Sequence, residues 1–158
     1  MMVSGCLLGI RCRYDGGGSG SPGLIEAAPR ARLIPFCPEQ LGGLPTPRPA
    51  AEIRGGDGRD VLRGDAKVLD AHGRDVTEAF LKGAEDALRL AQLTGSTLAL
   101  LKDKSPSCGI RTPYCEKPGG MGIGVTAALF DLWHIRMVDI IPRDPFPPAQ
   151  LLTLLGEA

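Results

Sequence analysis

Cysteine is the residue type through which this sequence could do chemistry. Five cysteines stand at positions 6, 12, 37, 108 and 115. An odd number cannot pair completely within one chain, and no C-x-x-C or H-x-x-x-H spacing marks a structural zinc site. Cys6 lies in one apolar run, Cys37 directly follows a second, and Cys108 sits in the loop after a third. A cubane iron–sulfur cluster tolerates such dispersed cysteines and is normally held by four. Held by three, it keeps one iron open, and an open metal position acts as a Lewis acid toward a substrate's sulfur or oxygen. Cys12 or Cys115 could add a fourth ligand, but neither has a fixed spacing to the others, and both read as bystanders. On spacing alone, a metal centre, a reactive thiol and a coincidence of inert thiols all stay open.

The neighbours of these cysteines carry usable groups. In Phe36-Cys37-Pro38-Glu39, the proline restricts the backbone and keeps Glu39 near the thiol, where a carboxylate could move a proton. An ordinary solvated or ion-paired glutamate is the plainer alternative. In Lys104-Ser105-Pro106-Ser107-Cys108-Gly109, two hydroxyls and an ammonium flank the thiol. Hydroxyls can bond a substrate carbonyl or a cluster sulfur, and a cation lowers a thiol's pKa. A polar turn would have the same composition. Gly119, Gly120, Gly122 and Gly124 precede a helical pattern and resemble an anion cradle, although a flexible connector fits them equally well. They do not match a dinucleotide fingerprint.

These residues need elements to position them. Residues 2–8, 31–36, 96–101 and 135–141 read as buried strands. Residues 23–28, 77–95, 124–133 and 148–155 read as helices, the long one started by Thr77 as N-cap and closed by Gly95. Within it Phe80, Ala84, Ala87, Leu88 and Ala91 recur at helical spacing. Residues 66–76 read as a hairpin with its turn near His72–Gly73, and the Pro-rich stretch 44–49 as an extended loop. The glycine-rich stretch after residue 14 has nothing in its sequence to hold it still. Strands alternating with helices define an α/β fold, mainly a parallel sheet with flanking helices and a small β-hairpin insert, as one domain over residues 1–158. Val3, Leu7, Leu33, Ile34, Leu98, Leu100, Val138 and Ile140 should be buried. Ligands of such sheets bind beyond the carboxyl ends of the strands, where Cys6, Cys37 and Cys108 fall together.

Composition narrows the function classes. The chain has 158 residues, and its 18 Lys+Arg balance 18 Asp+Glu. That balance leaves no electrostatic footprint for nucleic acid or an anionic membrane. Aromatics make up 4% of the residues, too few for an extended base-stacking platform. The N-terminus lacks the basic front of a signal peptide, and no apolar run approaches a membrane span. A cytoplasmic protein with reduced thiols is expected.

The stretches VSGCLLGIRCRYDGG, PFCPEQLGGLPTPRPAAEI, GRDVTEAFLKGA, LLKDKSPSCG and GIGVTAALF resemble successive blocks of the thiouracil desulfidase-like bacterial family, from residue 3 to about 141. The resemblance implies a Rossmann-like α/β domain and a 4Fe–4S cluster on Cys6, Cys37 and Cys108. It also implies non-redox removal of sulfur from thiolated nucleobases or related thiocarbonyl compounds at the open iron. Glu39 and Ser107 would then be catalytic, and Asp15, Arg48, Lys104 and Ser105 would bind substrate. The segment RTPYCEKPGGM departs from the family pattern and adds Cys115. A sulfide-carrying cluster protein in thiolation, or a redox-sensing metal module, remains the alternative.

Overall fold

The computed structural model describes residues 1–156. Its main sheet has four strands: β1 (Met2–Ser4), β2 (Ile34–Phe36), β5 (Leu98–Lys102) and β6 (Arg136–Ile140). They run in the order β2-β1-β5-β6, and every neighbouring pair is parallel. A parallel sheet must be covered on both faces, so its strands read as apolar runs. Alternate residues go to opposite layers. Val3, Leu98, Leu100 and Val138 face one cluster with Leu24 of α1 (Pro22–Ala27) and Leu151 of α6 (Ala149–Leu155). Met2, Ala99 and Leu101 face another, with Ala87 and Ala91 of α4 (Thr77–Leu93) and Phe130 of α5 (Val125–Leu132). The expected stripe along α4 is buried from Phe80 to Ala91.

A second, antiparallel pair joins β3 (Ala51–Arg54) to β4 (Lys67–Asp70). Ile53 and Val68 from this pair pack on Phe80 and on Val61 of α3 (Gly58–Arg63). The hairpin expected within 66–76 therefore differs in its partner. Its turn exists, with the Gly73 amide donating to the Asp70 carbonyl at 2.8 Å. The returning arm makes only an isolated bridge, Leu69 to Asp75, and β4 pairs with β3 instead.

Other boundaries shift for local reasons. The first strand is three residues long, because Gly5–Leu8 tightens into a 3-10 turn. Thr77 is the first residue of α4 rather than its cap. Its hydroxyl accepts from the Val68 amide at 2.9 Å, while Asp75 accepts from the Thr77 amide at 3.0 Å. Leu33 and Ile34 are only half-buried, since β2 is an edge strand. The glycine-rich loop is held after all. The Ser19 amide donates to the Cys6 carbonyl at 2.8 Å, and Arg13 spans the loop to the Ser19 hydroxyl at 2.8 Å. Among the described residues, no helix is long and apolar enough to cross a membrane.

Candidate metal centre and its cavity

Three strands of the parallel sheet end in cysteine-bearing turns. After β1, the 3-10 turn carries Cys6. After β2, Cys37 caps α2 (Pro38–Leu41), with Pro38 in the first helical position, where its missing N–H is harmless. This short helix lies directly on α4. A Cβ on Gly83 would overlap the Pro38 carbonyl, and one on Gly42 would overlap the Ala79 carbonyl. After β5, Lys104 takes a left-handed conformation, φ 58°. The Ser105 hydroxyl then accepts from the amides of Ser107 at 3.1 Å and Cys108 at 3.0 Å.

The Cys108 turn is bound to the start of α5. The amides of Val125 and Thr126 donate to the carbonyls of Pro106 at 3.0 Å and Ser107 at 2.9 Å. A Cβ on Gly124 would overlap the Ser107 carbonyl. The glycine run expected as an anion cradle is thus no cradle: the helix's first amides are taken by the cysteine turn, and Gly124 permits that close approach.

The turns meet at a cavity of about 550 Å³ lined by Cys6, Cys12, Cys37 and Cys108. The Cys12 thiol is flanked by those of Cys37 and Cys6. The Cys37 Sγ lies 3.4 Å from Glu39 Oε2 and 3.5 Å from the Cys12 carbonyl oxygen. The neighbouring Cys12 thiol, burial and the Glu39 carboxylate together push the Cys37 thiol above its ordinary range. Burial, then Glu39, does the same to Cys108. Thiols held protonated in this way must lose their protons when they bind a metal. Glu39 faces the Arg48 guanidinium at 3.8 Å, and Arg48 donates to the carbonyls of Cys12 at 3.1 Å and Pro45 at 3.3 Å.

The residues expected at the site divide into two groups. Glu39, Arg48, Lys104 and Ser105 line the cavity with the cysteines. Lys104 is the one cation of its wall without a carboxylate partner among the described residues. Arg13, Arg48, Arg74 and Lys102 pair with Asp15, Glu39, Asp70 and Asp103. Ser107 and Asp15 stand outside the wall. The Ser107 side chain is fully buried, its hydroxyl 2.9 Å from that of Thr126. Asp15 accepts from Arg13 at 2.9 Å and from the Gly17 amide at 2.9 Å, which keeps its carboxyl down at about 2. Cys12, expected as a bystander, is brought in among the other thiols. Nothing in its sequence spacing signalled this. Cys115 stays outside, its thiol donating to the Thr112 carbonyl at 3.3 Å.

The donor set is informative. Among the described residues, no three His, Cys, Asp or Glu side chains close around a single metal ion. The thiols are spread along one cavity wall, and neither histidine reaches it. Soft thiolates without imidazole suit an iron–sulfur cluster better than a mixed-ligand mononuclear site.

The fold and the site define an α/β protein of parallel-sheet type whose strand ends gather thiols beside a small-molecule cavity. The chain belongs to the 2-thiouracil desulfurase family, whose model matches residues 1–139. It is 44% identical to the uncharacterized protein YbbK of Bacillus subtilis (strain 168) over 141 residues, covering 87% of this chain and 93% of that one. It also matches the solved structure of a 4Fe–4S-dependent thiouracil desulfidase, TudS (DUF523Vcz), with 40% identity and a TM-score of 0.77. That match covers 98% of this chain and 97% of the other.

Proposed function

We propose that this protein removes sulfur from thiolated nucleobases or related thiocarbonyl compounds, with a 4Fe–4S cluster held by Cys6, Cys37 and Cys108. The observation that carries the proposal is the meeting of thiols from three strand ends at the wall of one cavity, with Glu39 beside Cys37. Membership of the desulfurase family and the likeness to a 4Fe–4S-dependent desulfidase support it. A 4Fe–4S cluster held by Cys6, Cys37 and Cys108 would supply Lewis-acid chemistry toward the thiocarbonyl sulfur.

The chain's own groups do the rest. Glu39 takes the proton of the water that adds to the thiocarbonyl carbon. Arg48 is a positioning residue: its bonds to the Cys12 and Pro45 carbonyls fix it, and it holds the Glu39 carboxylate in place. The Ser105 hydroxyl accepts two amides, which leaves its proton free to donate into the cavity. The unpaired Lys104 ammonium offers a contact for the substrate's carbonyl oxygen. The net exchange replaces C=S by C=O and releases hydrogen sulfide, with no electron gained or lost. Loop-lined and uncharged overall, the protein works on a small molecule in the cytoplasm, without nucleic acid.

The test is sulfide release from 2- or 4-thiouracil by the anaerobically prepared holoprotein. Glu39→Gln should keep the visible spectrum and lose about a hundred- to ten-thousandfold in rate, the usual contribution of a positioned base. Full activity in that variant removes Glu39 from the mechanism. A holoprotein that releases no sulfide from any thiolated base overturns the desulfidation itself.

A further inference from the structure

The chain has only two tyrosines, and both line the same cavity as the thiols. The structure assigns Tyr14 and Tyr114 an aromatic wall that stacks the flat ring of the substrate and selects heteroaromatic thiocarbonyls over aliphatic ones. This rests on the desulfidase reading for the substrate's reacting group, but not for the shape of its ring.

Exposure sets these rings apart. Phe36, Phe80 and Phe130 are buried in the core, whereas Tyr14 and Tyr114 are 47% and 51% exposed. Large apolar rings left open to a concave surface are available to a ligand. The backbone beneath each ring is fixed. The Tyr14 carbonyl accepts from the Arg48 amide at 2.8 Å, which ties it to the Glu39 side of the cavity. The Tyr114 carbonyl accepts from the Ile53 amide at 2.9 Å. Its own amide donates to Thr112 Oγ1 at 3.2 Å, and that hydroxyl donates to the Lys104 carbonyl at 3.0 Å. Tyr114 is therefore tied to the Cys108 turn.

The two rings differ in what already touches them. The Arg13 guanidinium lies over Tyr14, 5.5 Å from the ring centroid. Arg13 is itself held by Asp15 and Ser19. A cation over one face helps to hold the ring in place beside the cavity that both residues line. No comparable cation covers Tyr114 among the described residues. Aromatic side chains carry only two rotatable bonds, so a stacking surface costs little ordering.

The experiment measures KM for 4-thiouracil and for thioacetamide, an aliphatic thiocarbonyl, in the holoprotein. It also measures affinity for uracil by calorimetry. Tyr14→Ala and Tyr114→Ala should each weaken uracil binding and raise KM for 4-thiouracil by roughly ten- to a hundredfold, the worth of one base–aromatic stack. The preference for 4-thiouracil over thioacetamide in kcat/KM should fall by a similar factor. Tyr114→Phe, which keeps the ring, should retain the native affinity. Unchanged uracil affinity in both alanine variants, or equal losses for the two thiocarbonyls, overturns the aromatic wall. If uracil affinity falls in the variants while the native holoprotein cleaves no thiolated base, the wall stands and the desulfidase reading fails. If native holoprotein neither binds uracil nor cleaves 4-thiouracil, both are overturned.

Discussion

The turns after β2 and β5 each bring a thiol to the same cavity, yet they are built in opposite ways. The Cys108 turn is closed: its thiol is buried, its amides bond Ser105, and its carbonyls cap α5. The Cys37 turn is open. Its thiol is half-buried, Glu39 stands one helical step away, and the helix it caps is one short turn resting on α4. The closed turn anchors, and the open turn presents the Glu39 carboxylate to the cavity. Rigid support and chemical exposure are thus divided between two strand ends of one sheet.

Changes to the thiols give the largest effect. Cys37→Ser and Cys108→Ser, together with Cys6→Ser, should each abolish cluster binding, read as iron and sulfide per chain after anaerobic purification. Cys115→Ser should keep full loading. Cys12→Ser sharpens the point, because its thiol touches the others: retained loading supports the three-ligand set, and lost iron replaces it with one that includes Cys12.

The glycine contacts come next. Gly83→Ala forces α2 off α4 and should cost about 1–3 kcal/mol by overpacking. It should reduce sulfide release more than Gly124→Ala reduces it at equal destabilisation, since only the first displaces Glu39. Equal losses would erase the distinction between the two turns. Denaturant unfolding and activity, measured on the same samples, decide it.

Ser107 belongs to the anchoring side. Ser107→Ala leaves the buried Thr126 hydroxyl without its partner, at about 1–3 kcal/mol. Ser107→Ala combined with Thr126→Val should recover part of that loss in thermal unfolding, with sulfide release by the folded protein maintained. A rate loss that the double variant does not recover would return Ser107 to the chemistry.

The smallest effect lies outside both turns. Lys117, then the Asp57 amide, holds the Asp60 carboxyl at about 2, below its ordinary 3.8. A depressed carboxyl contributes stability above its unfolded pKa and loses it as pH falls through the folded value. Asp60→Asn should therefore flatten the acid side of the stability profile between about 4 and 2, leaving cluster loading at neutral pH alone. Acid titration of both proteins measures this.

The strand ends were legible because buried parallel strands are apolar runs, and three of the four lead into a cysteine-bearing turn. The partner of β4 was not, because β3 mixes half-buried Ala51 and Glu52 and exposed Arg54 with one buried Ile53 and follows a Pro-rich loop. Helix α3 was passed over, although its limits are written in the residues. Asp57 and Asp60 form a capping box, and Gly64 closes the helix in a left-handed conformation. The motifs pointed to Glu39 and Arg48, and both line the cavity. The burial of Ser107 against Thr126 was not legible, because a motif gives the residue and not the direction of its side chain. Cys12 was set aside because sequence spacing cannot show that a loop folds back on the strand before it.

The central position of β1 has a consequence for how the protein acquires its metal. This strand pairs with β2 on one side and with β5 on the other, and the register joins Val3 to Leu100. Contacts so distant in the chain form late, because a long loop must close before they return any stabilisation. No early fragment can therefore gather Cys6, Cys37 and Cys108. A nascent chain keeps Cys6, Cys37 and Cys108 apart until β5 docks, so the cavity wall that carries all three thiols is completed only once the chain has been made past residue 108.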